Sequence, residues 1–376
     1  MKIGLIAPPW VTVPPTEYGG TEQVVDVLAR GLQDAGHDVT LFTTGDSTCA
    51  VARRHLFTQA LGTETPSMVA ESSHIVAAYR ALAGCDIIHD HTLLGALYGP
   101  TLVDVPVLTT SHGPFTDELA LLFTAISHRA SVIAISHHQR STAPSLPVES
   151  VIHHGIEVDR FPVGAGGGGY ALFLGRMSPD KGVDRAIHAA RAAGMRLLIA
   201  AKMWEPDEVS YFHNVVKPLL DDDAVFVGQV GGSAKTELLG GATCLINPIR
   251  WPEPFGLVMV EALACGTPVI TFREGAAPEI VDHGVTGFVV DDEAAMAAAL
   301  HDVEGLSRVA CRTAVVERFS SRRMVAEHVS LYEQLIDRST SLHFVPLSNQ
   351  IRAPRPGAPA LRLLADRVPT TATELV

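Results

Sequence analysis

The sequence predicts an α/β protein of two doubly wound domains facing one cleft. Three observations carry this. Short aliphatic runs alternate with helix-length segments along most of the 376 residues. Most of those runs are continuously apolar, as expected of strands buried on both faces of a parallel sheet. The alternation breaks once, at a glycine-rich stretch, and leaves two halves of similar size.

In chain order, the first half predicts strands over 2–7, 38–43, 86–89, 106–110, 131–135 and 150–153. The second half predicts them over 170–174, 196–201, 224–227, 243–247, 268–271 and 287–290. Between them lie helix signals. Thr21 is the expected N-cap of the first helix, whose apolar stripe is Val24, Val25, Leu28 and Leu32, with Gly36 as its stop. Strand–helix repetition of this kind implies right-handed crossovers. The run Gly166–Gly169 predicts a flexible linker over 161–169. A terminal helix is expected over 321–337, ahead of a Pro- and Arg-rich tail, 338–376.

Composition narrows the function classes. A net charge of −13 argues against a nucleic-acid partner. The chain is 47% apolar, yet no run approaches the length of a membrane span, so no stable membrane insertion is expected. The 2–7 run reads as a strand rather than a signal peptide. Five scattered cysteines without C-x-x-C spacing fit a reducing, cytoplasmic setting. Lysine occurs only at Lys2, Lys181, Lys202, Lys217 and Lys235, so a lysine inside a motif is notable.

The stretch Glu253-Pro-Phe-Gly-Leu-Val-Met-Val-Glu261 is the most informative. Pro254 and Gly256 make a turn, and an apolar helix follows, closed by Gly266 and Pro268. Glu253 then stands at the helix N-terminus and Glu261 inside the helix. Between them are free backbone N–H groups over Phe255, Gly256, Leu257 and Val258, which suit an anion. Two acids around a phosphate seat suggest a nucleotide diphosphate with hydroxyl-rich sugars at both ends. Gly175-Arg176-x4-Lys181-Gly182 follows the first strand after the linker and offers a guanidinium fork and a point charge for phosphates. Tyr18-Gly19-Gly20-Thr21 permits close backbone approach to a ligand but is no dinucleotide fingerprint. His112, followed by Gly113-Pro114, sits at a strand's carboxyl end, where it can bond a hydroxyl or a reacting oxygen. His89-Asp90-His91 lacks further ligands at zinc spacing, so no metal site is expected there and these residues read as polar cleft lining. The pairs His137-His138 and His153-His154 read the same way, and Glu279 reads as a first-turn dipole partner.

Taken together and in this order, these motifs resemble the retaining glycosyltransferases of family 4, which have the GT-B fold. The resemblance covers roughly residues 1–337. Its pieces are Gly19-Gly20, Ser111-His112-Gly113, Arg176-x4-Lys181-Gly182, Glu253-x7-Glu261, Ala264-x-Gly266-x-Pro268 and Pro278-Glu279 with Gly284-x-x-Gly287. The resemblance implies an acceptor domain over 1–160 and a donor domain over 170–320. It implies a nucleotide-sugar donor, UDP-linked before GDP-linked, and transfer of a hexose to a small-molecule, glycan or carrier-linked acceptor. No metal or other cofactor is implied. Arg176 and Lys181 would bind the diphosphate, and Glu261 the ribose hydroxyls. Glu253 would hold the transferred sugar, with the Phe255–Leu257 backbone on phosphate or sugar oxygens. His112 would face the donor sugar, and Gly19 and Gly20 would close over the phosphates. The chain departs from the pattern at His153-His154-Gly155, where many relatives have Pro-Asn-Gly, and at Arg273–Ala276. Rival readings are a non-catalytic nucleotide-sugar binding subunit, a GT-B epimerase and a phosphorylase. The Glu253/Glu261 spacing speaks against the epimerase, and no pyridoxal phosphate signature supports the phosphorylase.

Overall fold

A computed structural model describes residues 1–16, 19–62 and 67–343. Tyr18 and the chain beyond 343, including most of the expected tail, lie outside the described residues. The first sheet is built from β1 Lys2–Ile6, β2 Asp38–Thr43, β3 Ala52–His55, β4 Ile87–Asp90, β5 Val107–Thr110, β6 Ser131–Ala134 and β7 Val148–Val151. The second holds β8 Tyr170–Arg176, β9 Arg196–Lys202, β10 Ala224–Gly228, β11 Cys244–Asn247, β12 Val269–Phe272 and β13 Gly287–Val290. Their orders are β3-β2-β1-β4-β5-β6-β7 and β10-β9-β8-β11-β12-β13, parallel throughout. Strand order reverses between β1 and β4 and again between β8 and β11. A crevice therefore opens beyond the carboxyl ends at both places.

The helices are α1 Gly20–Asp34, α2 Met68–Leu82, α3 Gly95–Tyr98, α4 Asp117–Ile126, α5 His137–Ser141, α6 Val183–Ala192, α7 Pro206–Tyr211, α8 Gly232–Gly241, α9 Leu257–Ala264, α10 Ala277–Ile280, α11 Glu293–Asp302, α12 Arg308–Arg318 and α13 Ser321–His343. The continuous apolar strands inside each sheet, such as β1, β5, β11 and β12, are buried on both faces, whereas the edge strand β10 is partly exposed. Ile3 and Leu5 pack under α1 with Val24, Val25, Leu28 and Leu32. Ile6 and Ile88 pack on the opposite face with Ile75 and Tyr79 of α2. Although it follows the second sheet in sequence, α13 lies on the first. Met324, Val325, Leu331, Tyr332 and Leu335 join the α1 core, and Tyr332 is fully buried.

Several expectations need correction. Gly19, not Thr21, caps α1, because the helix begins at Gly20 and the Gln23 N–H donates to the Gly19 carbonyl. β3 carries no apolar run; it is an exposed edge strand, Ala52-Arg-Arg-His55, which tolerates polar residues on both faces. β7 covers Val148–Val151 rather than 150–153, which frees His153 and His154 for other contacts. The glycine-rich stretch is not a loose tether. The N–H groups of Gly164, Gly166 and Gly168 donate to the carbonyls of Cys265, Gly240 and Gly241. A Cβ on Gly164 would lie 2.2 Å from the Gly240 carbonyl oxygen, so glycine there serves close backbone approach. α13 also runs six residues beyond 337, into the expected tail. Arg338 anchors that extension through two bonds to Glu149, at 2.8 and 3.1 Å.

Candidate active site

One cleft of about 940 Å³ is walled by both halves of the chain. Gly19, Gly20, His112 and His154 line one side; Gly175, Lys181, Lys202, Lys235, Glu253 and Glu261 line the other.

The Glu253–Glu261 segment is built by its turn. Gly256 caps α9 with φ 103°, and an added Cβ would stand 2.5 Å from Met259 Cε, so glycine is required. The Ala276 N–H donates to the Glu253 carbonyl at 3.0 Å and ties the turn to the loop after β12. Glu253 is thereby presented ahead of the helix N-terminus. Glu261, one turn into α9, is 5% exposed.

Each glutamate is paired with a lysine. The Lys181 ammonium donates to Glu253 Oε2 at 2.5 Å, across 72 positions of chain. Lys235, at the start of α8, donates to Glu261 Oε1 at 2.7 Å. An ammonium has three donors and a carboxylate two oxygens, so both pairs retain capacity for a ligand. Three of the five lysines line this cleft, namely Lys181, Lys202 and Lys235. Lysine rarity was the signal that could have found Lys202 and Lys235.

Not every expected group converges. Arg176 does not line the cleft; its guanidinium donates to Asp180 at 3.1 Å and lies 3.8 Å from Glu208. His112 lines the cleft, but both ring nitrogens are engaged, Nε2 with His91 Nδ1 at 3.0 Å and Nδ1 with His154 Nε2 at 3.3 Å. His89 is not cleft lining. It is fully buried between Tyr332 Oη and Thr110 Oγ1, each at 2.7 Å. His91 is buried behind His112. Among the described residues, no group of three or more His, Cys, Asp or Glu side chains could hold a metal ion.

The wall is closed by contacts between the two halves. Gly20 faces Leu257, where an added Cβ would lie 3.8 Å from Leu257 Cδ1. Phe255 is buried against His154 and His153, with centroids 5.1 and 5.9 Å away. Glu279 does more than complement its own helix. Its carboxylate accepts from the backbone N–H groups of His137 and His138, at 2.9 and 2.7 Å, and from His153 Nε2 at 2.7 Å. This one side chain of α10 thus caps α5 of the first half. Sequence spacing could not reveal it, because the partners lie about 140 positions away.

Comparison with known proteins agrees with this architecture. Residues 18–160 match the Glycosyltransferase Family 4 profile, and residues 156–307 match Glycosyl transferases group 1. Alpha-maltose-1-phosphate synthase of Mycobacterium tuberculosis (strain ATCC 25618 / H37Rv) is 27% identical over 334 residues, covering 74% of this chain and 84% of that protein. Glycogen synthase of the same strain is 27% identical over 418 residues, covering 94% and 98%. The solved sucrose-phosphate synthase from Thermosynechococcus elongatus superimposes with TM-score 0.76 at 22% identity, covering 90% of this chain and 99% of that one. Anabaena Alr3699/HepE in complex with UDP and glucose gives TM-score 0.72 at 18% identity, covering 89% and 99%. The structural likenesses establish a shared GT-B fold. Among the described residues, no helix is long and apolar enough to cross a membrane.

Proposed function

Because the chain belongs to the family 4 glycosyltransferases, we propose that it moves a hexose from a UDP-sugar to an acceptor hydroxyl, with retention and without a metal ion. A GDP-sugar is the second choice of donor. The observation that carries this reading is the pair of lysine–glutamate contacts on either side of the α9 N-terminus.

The donor's charges match that arrangement. The diphosphate would sit over the free N–H groups of Phe255 to Val258, where the helix end favours an anion. Lys181 keeps two donors beyond the one given to Glu253 and would give them to phosphate oxygens. Glu253 keeps Oε1 for a hydroxyl of the transferred sugar. At the other end, Glu261 Oε2 would accept from the ribose while Lys235 holds Oε1. Arg176 would have to leave Asp180 to reach the phosphates, a swing open to a long side chain that is partly exposed.

Bond breaking at the anomeric carbon places charge on the departing diphosphate. A preorganised ammonium and the helix N–H groups meet that charge in the walled cleft. The departing phosphate oxygen can itself take the acceptor hydroxyl's proton on the front face, so no protein base is required. That route preserves the anomeric configuration. A divalent cation would be redundant beside these fixed positive groups.

A thermal-shift screen with UDP, GDP and ADP tests the donor reading. A nucleotide at 100 times its Kd stabilises by about 2.7 kcal/mol. UDP is expected to give the largest shift; no shift with any of the three would overturn the reading.

A further inference from the structure

A line of histidines runs inward from the cleft wall, and the proposed reaction makes no use of it. His154 and His112 line the cleft, with His91 behind them. His91 and His328 of α13 line a small cavity of about 10 Å³ together with His112, His154, Thr110 and the aliphatic side chains of Val24, Leu28, Ile133, Ile135 and Ile152. That is about the room needed for one water. His91 Nε2 is buried and has no protein partner among the described residues.

The far end of the line is fixed by chemistry. His328 Nδ1 lies 2.8 Å from the Met324 carbonyl, which can only accept. Nδ1 therefore carries the proton, and Nε2 is a lone pair. Burial, reinforced by mutual repulsion for His91 and His154, holds all of these rings neutral. His112 and His328 are pushed down to about 4, and His91 and His154 well below the ordinary value. Each ring thus has one proton to place.

Two orderings satisfy the His91–His112–His154 bonds. In one, His91 Nδ1–H donates to His112, which leaves a lone pair on Nε2 of His91 as well as on Nε2 of His328, two rings that border the same cavity. Two ring acceptors then border one small cavity, whose lining hydroxyl, Thr110 Oγ1, is already engaged with His89 Nε2 at 2.7 Å. In the other, His91 Nε2–H is matched to the His328 lone pair through one water in the cavity they both line. His112 Nε2–H then donates to His91, and His154 Nε2–H donates to His112. The second ordering leaves fewer buried groups unmatched.

We propose that this ordering holds, and that it leaves His154 Nδ1 as a bare acceptor for a hydroxyl of the transferred sugar. The sugar contact rests on the donor reading above. His154 is well placed for it, because it packs edge-on against Phe255, two residues after Glu253. His112, His91 and His328 are positioning residues that set the tautomer of His154, and no proton has to move.

The test is long-range ¹H–¹⁵N spectroscopy of the full chain with ¹⁵N-labelled histidine. Wild type is expected to show His154, His112 and His91 protonated at Nε2 and His328 at Nδ1. A proton on Nδ1 of His154 or His112 would overturn the ordering, and this readout needs no substrate. UDP-glucose, but not UDP, should move the His154 Nδ1 signal to lower frequency. A bound UDP-glucose that leaves it in place would overturn the sugar contact, whereas absence of any response to either nucleotide counts against the donor reading instead. His154→Asn offers an amide oxygen close to the Nδ1 position and should keep turnover within about fivefold. His154→Phe should lose about tenfold in kcat with little change in UDP affinity, as expected for one hydrogen bond. Equal losses in Asn and Phe would contradict the acceptor role.

Discussion

Lys181 and Glu253 meet at 2.5 Å, although 72 positions separate them. The contact joins the loop before α6 to the loop before α9. It places an ammonium beside the helix end that the proposed diphosphate would occupy. Neither residue can therefore be altered without changing the electrostatics of the other.

Lys181→Ala is expected to lower turnover by about 10²-fold or more, the scale seen when one transition-state donor is removed. It should also weaken UDP binding. Glu253→Gln keeps the shape of the side chain and should lower kcat without weakening UDP binding, because it removes a negative charge beside Lys181. Steady-state kinetics and UDP titration of both variants check this. Weakened UDP binding in Glu253→Gln with normal kcat would reverse the assignment.

Glu261 predicts a different pattern. Wild type should bind UDP more tightly than 2′,3′-dideoxy-UDP, by about tenfold for a charged hydrogen-bond acceptor. Glu261→Ala should bind the two alike. Calorimetric titration of the four combinations gives the coupling directly.

The local placement of these residues was legible and their pairing was not. Apolar runs predicted twelve of the strands, since a strand buried on both faces must be apolar whatever its neighbours. β3 escaped because its edge position lets it be Ala52-Arg-Arg-His55. The turn at Pro254 and Gly256 and the acids around α9 were readable because they are close in sequence. The partners of those acids were not, because Lys181 and Lys235 arrive from other βα units. The glycine run was misread for a related reason: glycine serves mobility and close approach equally, and only the packed neighbour, Gly240, tells them apart. The histidine line joins the segments after β4, β5 and β7 to α13, and no spacing rule connects those elements.

Glu279 makes stability depend on pH. Burial opposes its ionisation, but bonds from His153 and the His137 and His138 N–H groups outweigh this and hold it below the usual carboxylate value of 4.5. The folded pKa lies below the unfolded one, so the contribution is present above about pH 4.5 and is lost as pH falls through the folded value. Glu279→Ala should cost about 1–2 kcal/mol at pH 7. Thermal unfolding should show the gap to wild type closing as pH falls below about 4.5 and through the folded value; a gap independent of pH would contradict the capping role.

Glu22 carries the opposite sign. Burial in the first turn of α1 raises it to about 7, against a smaller effect from its own backbone N–H. The fold prefers the protonated acid, so stability is full below about pH 4.5 and declines as pH rises toward 7. Glu22→Gln should therefore melt higher than wild type at pH 8 and match it at pH 4.

The central claim is donor activation by Lys181 and its surroundings without a metal. UDP release from UDP-glucose, with no acceptor and with excess chelator, tests it most directly. Wild type should release UDP slowly, the chelator should have no effect, and Lys181→Ala should be at background. Tight UDP-glucose binding with no release, or release abolished by the chelator, would contradict the account.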